Sequence, residues 1–388
     1  MMGRFMIFLA VSSAVLIVVN IYLSKRYARL LRDHSSLIPE SAAAYVLFSG
    51  LAVFLSSLFF QNRIYQHRAL TLPVRYISAF YICMVIYSFL LFPLGDTLTF
   101  LGSILSAPRK LDSFFSRVYA KGLFVPAAAL IITLYAFCNA VDFKVTEYEV
   151  SVDKTSSIPS LDAVMISDLH VGTSIGKKEI TEIKAMIEEL SPQILFICGD
   201  LFDHASYDEI MRFSAEELGS IRTEYGTFFV TGNHEYYLGD MSKVLSYFEG
   251  TGIKVLRDET AMAGDIYIAG RKDIREADRI PLSKILEGTE KGSPVIVLDH
   301  QPNAIDEAAK NSVDLQLSGH THNGQLFPFN YIVGLANHTH YGIVEDGVYR
   351  AIVSSGLGTW KYPVRTGSPS EIVRVRINFA GQGDAAVQ

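Results

Sequence analysis

Residues 161–201 read LDAVMISDLHVGTSIGKKEITEIKAMIEELSPQILFICGDL, and this stretch decides the fold. Leu161–Ser167 is an apolar run of strand length. It is followed by a helical pattern near Lys177–Leu190, which Ser191-Pro192 ends, and by a second apolar run at Ile194–Cys198. The rhythm continues outward. A helical stretch near Tyr207–Ile221 precedes a strand at Thr227–Thr231, another lies near Met241–Glu249, and further short runs rich in β-formers follow at Ile266–Ala269, Val295–Leu298 and Val313–Leu317. Upstream, Lys144–Asp153 alternates as a strand before Ser156-Ser157-Ile158-Pro159-Ser160 breaks it. Strands buried on both faces and separated by helices predict an α/β layered domain over residues 142–388.

Polar words stand just past these strands. Asp168-Leu169-His170, Gly199-Asp200, Gly232-Asn233-His234-Glu235, His300 and Gly319-His320-Thr321-His322 occur in that order. In α/β sheets the loops at the carboxyl ends of strands gather on one edge, so side chains far apart in sequence can converge there. The residue types then matter. Asp168 and His170, two apart in an extended turn, can grip one ion, and His320 and His322 repeat that spacing. A carboxylate such as Asp200 has two oxygens and can bridge two cations, Asn233 adds an amide oxygen, and His300 adds another imidazole. With no thiolate in the set, a structural zinc site of the cysteine type is disfavoured, and mixed nitrogen and oxygen donors suit two divalent ions, Mn, Fe or Zn. Two such ions about 3.5–4 Å apart can polarise a phosphoryl group and acidify a water to hydroxide. His234 is left to protonate the departing oxygen, with Glu235 as its orienting partner. Asp203 is placed to accept a proton from a liganding histidine.

Each word alone is an ordinary turn, and Asn323-Gly324 is a hairpin signal besides. All five in order, DLH, GD-x-x-D, GNHE, H and GHTH, resemble the calcineurin-like metallophosphoesterase family over roughly Leu161 to Val373. The resemblance implies a β-sandwich flanked by helices. It implies one metal held by Asp168, His170, Asp200 and His322, a second held by Asp200, Asn233, His300 and His320, and a general acid at His234. The closing stretch Gly356-Leu357-Gly358-Thr359 through Pro363-Val364-Arg365 and Ser370-Glu371-Ile372 resembles the bacterial branch with amino-terminal membrane helices. One departure is Gln301-Pro302, where an acidic residue before the proline is common in that branch. Of the remaining polar and aromatic residues, His338 and His340 read as loop residues, His204 as a neighbour of the site, and Tyr236 and Tyr237 as either substrate contacts or core packing.

The first 141 residues are of another kind. They carry 12 Lys+Arg against Asp33, Glu40, Asp96 and Asp112, a net charge of +8, which leaves 22 Lys+Arg against 36 Asp+Glu, or −14, for the remainder. Uncharged runs at about 5–23, 41–62, 76–95 and 122–141 are each long enough to cross a bilayer, and predict a membrane domain of four transmembrane helices. Lys25, Arg26, Arg29, Arg32, Arg109, Lys110, Arg117 and Lys121 fall on one side, against Arg4, Arg63, Arg68, Arg75, Lys144 and Lys154 on the other. The positive-inside rule then places both ends of the chain, and the catalytic domain, outside the cytoplasm of a multi-pass cell-membrane protein. Asp96 reads as a helix-end carboxylate at the interface, and with no ionisable residue in mid-span a transporter is disfavoured. The acidic second half is a poor match for a nucleic-acid backbone, so nucleic acid is not an expected partner. Cys83, Cys138 and Cys198 lie in apolar surroundings with no C-x-x-C, which indicates small buried hydrophobes.

The expected activity is thus a membrane-anchored two-metal phosphohydrolase cleaving a phosphate mono- or diester, lipid-linked or envelope-derived. The competing expectation is a membrane receptor or sensor whose domain binds metal or phosphate without turnover.

Overall fold

The computed structural model describes residues 2–34, 39, 41–59, 68–104, 119, 123–204, 206–336, 339–347 and 349–380. It divides into two compact units, Met1–Phe137 and Cys138–Gln388.

The first unit is helical, with α1 over Met2–His34, α2 over Ser41–Phe59, α3 over Arg68–Ile104 and α4 beginning at Phe124 and ending at Asn139. Two stretches, Ser41–Phe59 and Ala69–Ile104, are long and apolar enough to cross a membrane, and Phe124–Asn139 is a shorter apolar helix. The expected runs 5–23 and 76–95 fall inside α1 and α3, both longer than the runs themselves. Residues 60–62 and 122 of the expected runs lie outside the described residues, as do Arg63, Arg109, Lys110, Arg117 and Lys121 of the charge count. Asp96 corrects its reading as a helix end. Helix α3 continues past it to Ile104, and its carboxylate takes a bidentate pair from Arg26 of α1 at 2.9 and 3.1 Å and a Tyr119 hydroxyl at 2.9 Å. The charge pairs within the unit, which lowers the cost of holding it there. Nearby, Asn20 donates to the Tyr81 hydroxyl at 2.6 Å in a buried contact.

The second unit is built on two six-stranded sheets. One runs β1-β12-β2-β3-β4-β5, with β1 Phe143–Thr155, β2 Ser160–Ile166, β3 Ile194–Cys198, β4 Thr227–Val230, β5 Ile253–Val255 and β12 Ser370–Ala380. The other runs β10-β11-β9-β8-β7-β6, with β6 Glu259–Ala263, β7 Ile266–Gly270, β8 Val295–Leu298, β9 Leu315–Ser318, β10 Gly342–Asp346 and β11 Tyr349–Val353. Strands β2 to β5 are mutually parallel, as are β7, β8, β9 and β11.

Side-chain alternation explains the layers. Leu161, Ala163 and Met165 of β2 join Phe196 of β3 and Val230 of β4 in one core with Ile268, Ile296, Leu317 and Ile352 of the other sheet. Their neighbours Val164, Ile166, Leu195 and Ile197 face the opposite way, onto α5 (Lys177–Leu190) and α6 (Asp208–Gly219). Helix α5 presents Ile180, Ile183 and Ile187 to that face at helical spacing. It ends where Ser191 turns left-handed at φ 49° before Pro192. The outer face of the second sheet is covered by Leu282, Ile285 and Ala308. The arrangement is a sandwich of two sheets with helices outside each, so the strands are buried on both faces and read as unbroken apolar runs. Strands β5, β6, β10, β11 and β12 carry no such run. Helices α7 (Asn233–Tyr237) and α8 (Met241–Ser246) are short, and two more, α9 (Leu282–Ile285) and α10 (Ile305–Lys310), cover the second sheet.

Candidate metal centre

The carboxyl ends of β2, β3 and β4 deliver Asp168, Asp200 and Asn233, while those of β8 and β9 deliver His300, His320 and His322. The ligands therefore come from both sheets, and the site sits across the open edge of the sandwich rather than above one sheet. Sharp corners place them. Asp168, His170, Asp200, His320 and His322 all have left-handed backbone, with φ of 53°, 45°, 52°, 75° and 48°. A non-glycine residue in this region is uncommon, and five together mark a backbone held in place by its surroundings.

Two groups converge. Asp168, His170 and His322 form one, and Asp200, His300 and His320 form the other. In the first, His170 Nε2 and His322 Nε2 face each other at 3.1 Å, and His322 Nε2 lies 3.5 Å from Asp168 Oδ1. That is near the separation of two imidazole nitrogens sharing one ion at about 2.0–2.1 Å each. In the second, His300 Nε2 lies 3.1 Å from Asp200 Oδ2. The same Oδ2 is 3.8 Å from His170 Nε2, so it stands between the groups, while Oδ1 is occupied by the His234 backbone N–H at 2.8 Å. Asn233, buried at the first position of α7, has Gln301 Nε2 3.4 Å from its Oδ1.

The donor set fits a pair of divalent cations. His300 Nδ1 donates to the Cys198 carbonyl at 2.7 Å, so Nε2 is the nitrogen turned toward Asp200, and this buried Nε2 has no hydrogen-bond partner. A ring fixed on one nitrogen by a carbonyl and open on the other is the usual setting of a metal-bound histidine. Burial depresses the His170 and His322 imidazoles well below the ordinary histidine value, with the neighbouring His234 and Arg365 respectively adding to it, and lowers His320 to about 4. All three are thereby kept neutral, the form a cation requires. At His300 burial also disfavours the charge, but Asp200 and Asp168 outweigh it and hold that imidazole well above its usual value. Burial raises the Asp168 carboxyl, whereas at Asp200 the surrounding His300, His234 and His170 overcome burial and keep it well below the carboxylate range.

His234 is half-buried beside this constellation. Its ring lies 4.6 Å from that of His170 and 5.7 Å from that of Tyr237, and its Nδ1 is buried without a hydrogen-bond partner. It also falls in a third group with His170 and Asp203. His170 turns Nδ1 toward Asp203 at 4.0 Å and Nε2 toward the first group, so Asp203 addresses its outer nitrogen. Glu235 does not orient His234. Its buried carboxylate accepts the backbone N–H groups of Asp200 at 2.9 Å, Phe202 at 2.8 Å and Gly232 at 2.8 Å. It thus ties the loop after β3 to the start of α7, a role set by tertiary packing that its place in Gly-Asn-His-Glu did not reveal. Tyr236 and Tyr237 are exposed rather than core residues. Tyr237 stacks on His204 at 6.4 Å and takes the Arg275 guanidinium over its ring at 5.2 Å. His340 lies in an irregular segment, whereas His338 is outside the described residues.

Two side chains that the sequence marks without a role make contacts at the site. Gln301 donates to the buried Asp273 carboxylate at 2.8 Å while facing Asn233. An amide can donate to both oxygens, which an ionised acid at this position could not. Arg365 is wholly buried. It donates to the Ser355 and Pro369 carbonyls at 2.9 and 2.8 Å and to the Gly358 carbonyl, and its Nη2 is 3.4 Å from His322 Nδ1. Burial lowers this guanidinium to about 10. Arg365 stands in the closing stretch that carries the family resemblance, but its contact with His322 is made only by the fold.

A sequence profile described as calcineurin-like phosphoesterase matches residues 163–324. A zebrafish (Danio rerio) protein called a transmembrane protein with metallophosphoesterase domain is 32% identical over 323 residues, covering 77% of this chain and 72% of its own. The Bos taurus protein of the same description is 33% identical, covering 66% of this chain and 63% of its own. An uncharacterized metallophosphoesterase of Helicobacter pylori strain J99 is 33% identical, over 60% of this chain and 64% of its own. With every ligand-bearing corner lying inside the matched region, the chain belongs to the calcineurin-like phosphoesterase family and is a metal-dependent phosphoesterase.

Proposed function

We propose that the protein is a membrane-anchored phosphohydrolase that uses two divalent ions to cleave a phosphate mono- or diester. The observation that carries this reading is the position of Asp200 Oδ2, between His300 Nε2 at 3.1 Å and His170 Nε2 at 3.8 Å. In this reading Asp168, His170, Asp200 and His322 hold one ion, and Asp200, Asn233, His300 and His320 hold the other. The bound pair would supply Lewis acidity at the phosphoryl group and at the attacking water. The chain does the rest. The Cys198 carbonyl fixes the His300 tautomer, Glu235 holds the Asp200 corner, and Arg365 braces His322. His234, half-buried and with an unpartnered Nδ1, delivers a proton to the leaving oxygen.

The setting is part of the proposal. Residues 1–141 form a membrane domain of four transmembrane helices, and residues 142–388 form the catalytic domain on the extracytoplasmic side. Between α4 and β1 stand only residues 140–142, so the catalytic unit works near the bilayer and meets lipid-linked or envelope-derived phosphoesters first. The zebrafish and bovine relatives, named as transmembrane proteins, support the anchorage. The test is hydrolysis of a chromogenic phosphodiester by the full chain in detergent with added Mn²⁺. Asp200→Asn and chelation should each abolish turnover, and an Asp200→Asn protein as active as the parent sinks the proposal.

A further inference from the structure

Just past the candidate ligands lies a surface the chemistry does not use. Helix α11 (Phe329–Ala336) exposes Tyr331, Ile332 and Leu335, the last 87% accessible, and Phe327 and Phe329 lie exposed at its start. Trp360, 54% exposed, belongs to the same surface through Gln325. The Gln325 amide accepts from Trp360 N at 2.8 Å and donates to the Tyr362 and Val364 carbonyls at 3.1 and 2.9 Å, while its own carbonyl accepts Thr366 N at 2.9 Å. Single exposed apolar side chains are ordinary, but six on two mutually bonded segments form a patch of the kind that marks an interaction face.

Its occupant follows from charge and chain continuity. From Leu315 to Val344 there is no Asp, Glu, Lys or Arg, in a half of the chain whose net charge is −14. This is the stretch an otherwise acidic unit can bring against an anionic lipid surface without repulsion, and its Trp, Tyr and Phe side chains are those that settle at the headgroup boundary. The loop that carries Trp360 onward is also bonded to the residue that ends the last apolar helix. Asn139 Nδ2 donates to the Arg365 and Ser368 carbonyls at 3.1 and 3.2 Å.

We infer that α11 and the Trp360 turn enter the outer boundary of the bilayer that the chain's own helices cross, and so hold the metal centre against the lipid headgroups. Helix α11 sits directly on the ligand corner. A Cβ at Gly324, two residues past His322, would lie 2.5 Å from Asn330 N, so nothing separates the helix from that turn. The inference rests on the membrane anchorage proposed above.

Trp360 is the only tryptophan in the chain, so its emission reports this surface alone. The full chain would be reconstituted in phosphatidylcholine vesicles carrying bromine either near the glycerol end or near the methyl end of the acyl chain. Emission should fall about twofold with shallow bromine and less with deep bromine, as an interfacial ring requires. A chain that floats with the vesicles but keeps its emission with both lipids while aqueous iodide quenches it overturns the contact and leaves the anchorage standing. Emission protected from bromine and iodide alike means a protein cover, and also overturns it. A chain that does not float with vesicles sinks the anchorage itself. Replacing Ile332 and Leu335 together by Asp should return shallow quenching to background with the metal content unchanged. Should that variant not fold, the parent measurement decides alone.

Discussion

Gly232→Ala tests the geometry of the centre with one methyl group. At Gly232 the backbone has φ −103° and ψ −172°, which alanine adopts freely, so any effect comes from the added carbon. That carbon would lie 2.2 Å from Asp200 Oδ1, 2.8 Å from Asp200 N and 2.8 Å from His300 Cδ2. Contacts below about 3 Å are repulsive, so the Asp200 carboxylate must retreat by roughly 1 Å, and its bond to His234 N is lost with it. A misplacement of about 1 Å in a catalytic assembly costs on the order of 100-fold in rate. The overpacking itself costs about 1–3 kcal/mol, a drop in Tm of several degrees for a unit of this size. Elemental analysis of the full chain in detergent should find less metal than in the parent, and phosphodiester turnover should fall about 100-fold. Gly176→Ala is the control, because φ there is −108° and the nearest atom, the end of the Glu179 side chain, is 3.2 Å away. If Gly232→Ala retains two ions and parental turnover, Asp200 does not hold the position assigned to it.

Other perturbations reach different parts of the molecule. His234→Asn should slow hydrolysis of an alkyl phosphodiester by about 10²–10⁴-fold and spare a nitrophenyl ester, whose leaving group needs no proton, and equal losses on both would remove His234 as the acid. Glu235→Ala strands three backbone N–H groups at about 1–3 kcal/mol each, so thermal unfolding should shift down markedly even with metal present, and an unchanged Tm would contradict the tie. Phe196→Ala, at the centre of the inter-sheet core, should cost about 3–5 kcal/mol in chemical denaturation. Gln301→Glu puts a second carboxylate 2.8 Å from Asp273 and removes the donor facing Asn233, so metal affinity should fall about 10–100-fold, read by titration of the metal-free chain.

The strands that carry ligands were legible because each is buried on both faces. Leu161–Ile166 and Ile194–Cys198 have no polar face to blur the pattern, and the polar residue after each run announces the corner. What periodicity could not supply is the partition into two sheets, since β3 and β8 read alike and only their neighbours distinguish them. Strand β12 went unmarked because Arg374, Arg376 and Asn378 break its apolar run, although its pairing to β1 and β2 is extensive. Glu235 shows the same limit at the site. Its motif identifies a carboxylate beside His234, but the three N–H groups it serves come from the loop some thirty residues earlier and from its own turn. Arg365 could not be connected to His322 without the fold that brings them together.

The position of β12 bears on how the protein is made. This strand lies between β1, which leaves the last helix, and β2, which begins the ligand-bearing series, and register partners such as Glu147 and Arg374 are 227 residues apart. Until residue 380 has left the ribosome, β1 has no neighbour in the sheet and β2 has an open edge. Pairing over such a separation is slow, and exposed strand edges invite wrong partners meanwhile. A chain whose helices are already in the bilayer keeps β1 near its destination during that wait. Under the anchorage proposed above, the anchor would act as a folding aid, by limiting the volume in which the last strand must find the first.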